Sequence, residues 1–365
     1  MTIEVSTILL ASVLLAMISW ILPSRYALDG VVIGTLATLA LFSPETVAWC
    51  LGASACTFAA LKAGDAFGHK GRIIAGLALA LMIGFTMVEF SQGLFWIGVS
   101  FFTLRLLHVA CEWWLGSLST PSARDFARYL FFLPVMIVGP IHRLPNFQRQ
   151  VDRRRFDWPD WLGGFERCLV GVFMAYFLGD VVFGRVHLRL MGVFGKDQSF
   201  AEIWALSAID WIKLYFVFAG LSAVALGASR MMGLTLEENF NKPWRATSLL
   251  DFWTRWHMTL TNWCRDYTYR PVMAITRNPA IGVIAAMLVI GLWHAISVYY
   301  VLWSIWQSLG IIISQLAAQR LPERFGSGVA GQLLVLVGIL GWLSLARPVI
   351  VTLTGGIDDA FGPIL

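Results

Sequence analysis

Charged residues are scarce in this chain of 365 residues: Asp, Glu, Lys and Arg together make up 13% of it. Hydrophobic residues make up 58%, and the mean hydropathy is +0.71. An ordinary soluble domain carries about 25% charged residues, so this composition excludes a soluble globular protein. It predicts an all-α integral membrane protein, because spans of about 20 apolar residues form transmembrane helices.

Several sequence patterns are also absent. The five cysteines form no C-x-x-C pair, and no H-E-x-x-H motif occurs. The sequence therefore predicts no disulfide framework, no metal site and no bound cofactor. No internal repeat is detectable, which counts against a transporter with duplicated halves. The net charge of +5 is explained by membrane topology and contact with anionic membrane lipid, and not by nucleic-acid binding.

Apolar segments recur along the chain at a length that suits a bilayer. We expect about ten transmembrane helices, at roughly 5–22, 29–43, 46–62, 73–89, 93–110, 163–183, 202–228, 280–297, 299–318 and 331–353. The first segment follows M-T-I-E-V-S, which lacks a basic region. We therefore expect it to be a retained span and not a signal peptide.

The distribution of Lys and Arg predicts the orientation of these spans. Basic residues concentrate in regions 111–160 and 229–279, and Arg320 and Arg324 fall on the same side of the membrane. Loop 184–200 also contains basic residues and breaks the pattern. The balance predicts that the basic regions face the cytoplasm and that both termini are extracytoplasmic.

Both inward regions contain segments that are unsuited to spanning. Residues 129–143 are apolar but interrupted by proline, and residues 237–271 are aromatic and basic. We expect re-entrant or in-plane helices on the inward side. Aromatic residues at offsets of three and four predict one continuous amphipathic helix over 251–267, with Asp251 and Arg255 placed for an i,i+4 ion pair.

Two histidines are the candidate catalytic residues, because ionisable groups at membrane depth are costly and tend to mark function. His294, in the apolar run 290–296, is a candidate general base for acyl transfer from a thioester to an alcohol. His257 is a candidate second base, an orienter of His294 or a donor to the developing oxyanion. The alternatives are a histidine that bonds a neighbouring helix and an interfacial histidine, respectively.

Other residues allow a functional and a structural interpretation. Cys264 is a candidate nucleophile, although only its helical proximity to His257 would activate it. Arg255, Arg265 and Arg270 are candidates to bind the phosphate of a pantetheine or nucleotide group, and contact with lipid headgroups is the alternative.

Two further polar features are expected to be structural. Asp210 and Lys213 are predicted to form an internal ion pair, with a role in a substrate path as the alternative. His142 follows a Gly-Pro break in G-P-I-H-R and is expected to be structural.

Four motifs together resemble the membrane-bound O-acyltransferase family. They are G-P-I-H-R-L-P-N-F at 139–147, E-N-F-N-K-P-W at 238–244, D-F-W-T-R-W-H-M-T-L-T-N-W-C-R-D-Y at 251–267 and G-L-W-H at 291–294. The third is long and specific, and the resemblance covers residues 130–310. It is strongest to the bacterial branch that contains alginate O-acetyltransferase and teichoic acid D-alanyl transferase.

The resemblance implies a ring of spanning helices around a thinned centre, with a tunnel that joins the two faces. It implies that His294 and His257 are the catalytic pair. We expect the substrate to contact the neighbouring motif residues Trp253, Arg255, Trp256, Asn262, Arg265, Asp266 and Trp293. The donor would be acyl-CoA or an acyl carrier protein. The acceptor would be a cell-envelope polysaccharide or an extracytoplasmic acyltransferase partner, and the location a bacterial cytoplasmic membrane.

The resemblance also implies one domain over 1–365, with N-terminal helices 1–110, a re-entrant basic region 111–160, a catalytic core 163–310 and C-terminal helices 311–365. The chain departs from the family at Ala295, where Gly is usual, and at 216–222, which lacks the family's carboxylates. These departures leave a non-catalytic scaffold or acyl channel of the same fold as the first alternative, and a transporter as the second.

Overall fold

The chain is helical in the part that the computed structural model describes, namely residues 3–74, 76–77, 80–81, 98–195, 198–318 and 328–356. No strand occurs in these residues, which agrees with the all-α prediction. Most of the predicted span 73–89 lies outside the described residues, as do Arg320 and Arg324.

Two compact units divide the chain. The first contains Met1–Val172 and Leu221–Glu237, and the second contains Phe173–Gly220 and Glu238–Leu365. The sequence predicts one domain in four parts from family resemblance, whereas these two units are defined by contacts within the chain. The four-part division therefore stays a prediction.

The first part of the chain supplies α1 to α7. They are α1 Ile3–Ile18, α2 Ser24–Phe42, α3 Pro44–Phe67, α4 Val99–Trp114, α5 Ala123–Leu130, α6 Leu144–Asp152 and α7 Trp158–Val172, with a 3-10 turn at Leu133–Val135. A π-helical stretch, Phe173–Phe183, continues α7.

The second part supplies α8 to α15. They are α8 Gly184–Phe194, α9 Phe200–Met231, α10 Leu249–Arg255, α11 Met258–Cys264, α12 Arg270–Thr276, α13 Pro279–His294, α14 Val298–Ala318 and α15 Gly328–Thr354. A 3-10 turn at Pro243–Arg245 precedes α10, and a π-helical turn at Arg265–Tyr269 joins α11 to α12.

Six helical segments among the described residues are long and apolar enough to cross a membrane. They are Ser24–Phe42, Pro44–Phe67, Trp158–Phe194, Phe200–Met231, Val298–Ala318 and Gly328–Thr354. The helices α1, α4 and α13, which fall on three other predicted spans, have 16 residues each. Such a helix is about 24 Å long, less than the roughly 30 Å of bilayer hydrocarbon.

The proline-broken segment of the first unit is held by side chains that bond its backbone. The Tyr129 hydroxyl donates to the His142 carbonyl at 2.7 Å, and His108 Nε2 accepts from the Leu144 N–H at 3.2 Å. The Ser222 hydroxyl donates to the Val138 carbonyl at 3.3 Å. These bonds satisfy backbone groups that no regular helix pairs, so this segment is buried without spanning.

The predicted continuous helix over 251–267 is wrong. The helix stops at Arg255, His257 adopts left-handed backbone angles, and α11 restarts at Met258. A break of this kind turns the helix axis, so the aromatic residues before and after it do not form one stripe. The Asp251–Arg255 pair is confirmed, with 2.8 Å between Oδ1 and Nε.

The prediction that Asp210 pairs with Lys213 is wrong, because other residues are the ion-pair partners of Asp210. Asp210 Oδ1 lies 2.7 Å from His187 Nδ1, and Oδ2 lies 3.2 Å from Arg347 Nη1. Lys213 adds only a longer-range electrostatic attraction. The two partners come from α8 and α15, so sequence separation hid them.

Candidate active site

The turn at His257 is built by a neighbouring loop that bonds both sides of the helix break. His257 has φ 44° and ψ 52°, a conformation that is uncommon for residues other than glycine. The Asn239 carbonyl accepts from the Met258 N–H at 2.8 Å, and the Asn241 N–H donates to the Arg255 carbonyl at 2.9 Å. Thr259 Oγ1 also bonds Asn239 Oδ1 at 2.6 Å. The E-N-F-N motif therefore fixes the backbone that carries His257.

The His257 side chain is buried and surrounded by aromatic rings. Its imidazole meets the Phe218 ring edge to face at 4.7 Å between centroids, and the Trp293 ring at 5.8 Å. Burial, and next the charge of His294, lower the pKa of His257 well below its usual range. The ring is therefore neutral at physiological pH.

His294 is the last residue of α13 and lies in a second aromatic group. Its ring stacks on Tyr300 with centroids 5.4 Å apart and meets Trp303 edge to face at 6.0 Å. The Trp293 ring, which contacts His257, is 4.8 Å from the His294 ring. Trp293 therefore contacts both imidazoles.

Close helix packing brings Tyr300 and Trp303 to His294. A Cβ atom at Gly291 would overlap the Ser304 hydroxyl and lie 2.7 Å from the Tyr300 carbonyl oxygen. Glycine is therefore required for α13 and α14 to approach this closely. The two helices are joined only by residues 295–297, so the His294 ring is fixed by a tight antiparallel hairpin.

One nitrogen of His294 is buried without a hydrogen bond. Among the described residues, Nδ1 of His294 has no protein partner. Burying a polar atom without a partner is costly, on the order of 1–3 kcal/mol in proteins. An imidazole held in this way is suited to exchange a proton with a substrate hydroxyl.

The structure brings two of the predicted substrate-contacting residues to this pair. Trp293 contacts both histidine rings, and Trp253 packs edge to face on Trp303 with centroids 5.8 Å apart. Trp256 instead belongs to an aromatic group with Phe252 and Phe240, at 5.4 and 5.1 Å. Its contacts there support the turn before His257.

The polar candidates in the motif form ion pairs of their own. Arg255 bonds Asp251, and Asp266 bonds both Arg265 and Arg270 at 3.1 and 2.9 Å. Asn262 is half-buried on α11. None of the contacts found for Arg255, Arg265 or Asn262 reaches either histidine, so their role in substrate binding stays a prediction.

The nucleophile interpretation of Cys264 is disfavoured. The side chain is buried, and burial raises the pKa of the thiol to about 12. A thiolate is the reactive form of cysteine. A thiol held protonated in this way is a packing residue.

Sequence patterns missed several residues of the site. Tyr300 and Trp303, three apart on α14, hold the His294 ring, and Phe218 on α9 holds the His257 ring. The short connection after His294 gave a signal for the first two, because a hairpin returns the next helix to the previous one. Phe218 gave none. Among the described residues no group of three or more His, Cys, Asp or Glu side chains is arranged to hold a metal ion.

Comparison with known proteins identifies the family. The family profile of the membrane-bound O-acyltransferases matches residues 79–343, so the chain belongs to this family. A probable alginate O-acetylase of Pseudomonas aeruginosa is 27% identical over 252 residues, which cover 68% of this chain and 48% of that protein.

Two other relatives act on different polymers by name. A teichoic acid D-alanyltransferase of Streptococcus thermophilus is 29% identical over 60% of this chain and 56% of its own length. A peptidoglycan O-acetyltransferase of Helicobacter pylori is 26% identical over 52% of this chain and 37% of its own length. The chain spans about half the length of the curated relatives it matches.

Proposed function

We propose that the protein is a membrane O-acyltransferase that moves a short acyl group, acetyl or D-alanyl, from a thioester to a hydroxyl group. The observation that carries this proposal is His294, a half-buried imidazole held between aromatic rings, whose Nδ1 is buried and has no hydrogen-bond partner among the described residues. The names of the relatives, which act on alginate, teichoic acid and peptidoglycan, support an acceptor in the cell envelope.

In the proposed reaction His294 is the general base. The acceptor O–H gives its proton to the His294 imidazole while the oxygen attacks the thioester carbonyl. The C–S bond then breaks, and the imidazolium returns the proton to the departing thiolate. The products are an ester and a free thiol, so no oxidant or further reactant is needed.

His257 is proposed to assist as a neutral imidazole. Burial keeps it uncharged, so one ring nitrogen carries a proton that it can donate to the oxyanion formed on the thioester carbonyl. Trp293 contacts both imidazole rings. In the proposal the two histidines act on different atoms of the reacting group, His294 on the acceptor hydroxyl and His257 on the carbonyl oxygen.

The proposed setting is a bacterial cytoplasmic membrane crossed by about ten helices, with both termini extracytoplasmic. The basic regions 111–160 and 229–279 support this orientation under the positive-inside rule. A thioester donor, acyl-CoA or an acyl carrier protein, would then reach the site from the cytoplasm. The acceptor would be an envelope polysaccharide or an extracytoplasmic partner transferase that passes the group on.

The test is release of ester-linked acyl groups from envelope polymers by mild alkali. A deletion strain is restored with the wild-type protein or with His294→Ala, and the amount of each protein in the membrane is matched. We expect the variant to lose the released acid, and its identity as acetate or D-alanine names the acyl group. Equal release from both strains would remove His294 from the mechanism and favour the scaffold or channel.

A further inference from the structure

A glutamine in the second unit is buried, and its side-chain amide makes no hydrogen bond to the described residues. Gln307 on α14 has 0% of its surface exposed, and neither Oε1 nor Nε2 has a hydrogen-bond partner among the described residues. A buried amide with both ends unpaired is destabilising. Its persistence in a membrane helix suggests that a ligand completes its hydrogen bonds.

Gln307 lies on the helix face that holds the His294 ring. Tyr300, Trp303 and Gln307 follow at spacings of three and four, so they share one side of α14. The serines on this side, Ser304 and Ser308, donate back to carbonyls of their own helix at 2.7 Å. Because a helix rises about 1.5 Å per residue, Gln307 is about 6 Å beyond Trp303 and about 10 Å beyond Tyr300 along the axis.

A second unpaired donor borders the same ring. The indole Nε1 of Trp253 is buried and has no hydrogen-bond partner in the described part of the chain, and the Trp253 ring contacts Trp303. One acceptor and two kinds of N–H donor are therefore available on the α10 and α14 residues next to Trp303. An amide is the neutral group that uses both an acceptor and a donor.

The orientation proposed above puts Gln307 on the donor side of His294. The chain reverses between the end of α13 at His294 and the start of α14 at Val298. α13 begins directly after the basic region 229–279, which the proposed orientation places on the cytoplasmic side, so α14 runs back toward that side. Gln307 is thus closer to the cytoplasm than Tyr300 and Trp303, which contact His294.

We propose that the Gln307 carboxamide and the Trp253 indole N–H bind an amide of the pantetheine arm of the thioester donor. This inference rests on the proposed function. Gln307 Oε1 accepts from the amide N–H, while Gln307 Nε2 or Trp253 Nε1 donates to the amide carbonyl. Acyl-CoA and acyl carrier proteins share this arm, so the subsite serves either donor.

The length of the arm suits the helix geometry. Its two amide nitrogens are four and eight bonds from the thioester carbon, or about 5 and 10 Å at roughly 1.2 Å per bond in an extended chain. With the thioester carbon at His294, these lengths are close to the axial separations of about 6 and 10 Å between Gln307 and the residues Trp303 and Tyr300. Gln307 is therefore a positioning residue and takes no part in the proton transfer.

The test is a binding measurement, which is independent of catalysis. S-(2-oxopropyl)pantetheine, a stable thioether, is compared with S-(2-oxopropyl)propanethiol, which lacks both amides, on purified protein in detergent. The variant is Gln307→Met, which keeps the side-chain volume and removes the polar atoms. Leu309→Met, at a position 47% exposed on the same helix, is the matched control.

We expect Gln307→Met to weaken binding of the pantetheine ligand about 10-fold, the size of one or two neutral hydrogen bonds, and to leave the truncated ligand unchanged. Trp253→Phe, which keeps an aromatic ring, is expected to weaken the same ligand about 5-fold and serves as the second variant if Gln307→Met is poorly folded. Equal affinity of wild type and both variants, equal losses for the two ligands, or a wild-type protein that binds no pantetheine ligand would overturn the inference. The alkali-release assay decides the proposed function separately.

Discussion

Each of the two units places a pair of histidines among aromatic rings, but the surroundings of the ring nitrogens and the exposure of the rings differ. In the first unit, His108 Nε2 accepts from the Leu144 N–H, and His142 Nδ1 lies 3.3 Å from the Pro140 carbonyl oxygen, while His142 Nε2 has no hydrogen-bond partner among the described residues. In the second unit, the rings of Tyr300, Trp303 and Trp293 contact His294, and its Nδ1 has no partner among the described residues.

The difference separates a structural role from a chemical one. A histidine whose nitrogen holds backbone is committed to the fold, and removing it exposes an unpaired backbone group. A histidine that is fixed through its ring faces keeps a nitrogen for another molecule. Aromatic surroundings and an unpaired ring nitrogen occur in both units and do not distinguish the pairs. His294 differs from His142 because it is half-buried at the end of α13, whereas His142 is buried.

After loss of His294 itself, substitution of His257 is expected to have the largest effect on the transfer rate, and it tests the comparison of the two histidine pairs. We expect His257→Asn to lower the transfer rate by about 10- to 100-fold, because the shorter carboxamide moves its N–H donor away from the oxyanion. Asparagine tolerates the left-handed backbone at this position, so the turn is retained. The rate is measured per folded molecule in detergent, and an unchanged rate would make His257 a structural residue like His142.

The next comparison is between two glycines at close helix contacts, one in each unit. Gly291→Ala forces α13 and α14 apart at His294, while Gly164→Ala places a Cβ 2.7 Å from the Gly227 carbonyl oxygen in the first unit. We expect each variant to lose about 1–3 kcal/mol of stability through overpacking. Only Gly291→Ala should also lower the transfer rate per folded molecule, since it moves the His294 ring against Tyr300. Equal rates for the two variants would show that this hairpin does not position His294.

A smaller effect is expected at Tyr129 in the first unit. Tyr129→Phe removes the donor to the buried His142 carbonyl and should cost about 1 kcal/mol in the free energy of unfolding. Thermal unfolding in detergent measures the loss. The transfer rate of the folded fraction should stay at the wild-type value, and a selective fall in that rate would bring the first unit into the chemistry.

The smallest expected effect is a change in the free energy of unfolding with pH. Burial lowers the pKa of His257 well below its usual range, so the folded protein holds this ring neutral while the unfolded chain takes up a proton below about pH 6.5. His257 therefore contributes stability that is fully present above this pH and is lost as the pH falls toward the folded pKa. From pH 7.5 to 6.0 the loss is about 0.8 kcal/mol. Unfolding of wild type and His257→Asn at both pH values checks it, because the variant should lack this part of the pH dependence.

Local sequence signals predicted the helical class and the Asp251–Arg255 pair. They failed where distant contacts decide the local structure. The break at His257 depends on backbone bonds from Asn239 and Asn241, and a helical hydrophobic pattern continues through it. The partners of Asp210 come from α8 and α15, which a spacing of three residues cannot reveal.

The aromatic environment of the site was partly accessible from the sequence. Tyr300 and Trp303 follow His294 closely enough for a hairpin to bring them back, whereas Phe218 is separated from His257 by 39 residues and carries no distinguishing motif. Gln307 gave no signal, because a single glutamine in an apolar helix acquires meaning only when its burial and missing partners are known.

The most direct test of the contrast between the two histidine pairs is the rate of thioester-to-hydroxyl transfer per folded molecule in His294→Gln and His142→Gln, measured beside the wild type. We predict a loss of about 10²- to 10⁴-fold for His294→Gln, the usual contribution of a positioned general base. His142→Gln should stay within about twofold of the wild-type rate once its folded fraction is counted. Equal losses in the two variants, or full activity of folded His294→Gln, would contradict the account.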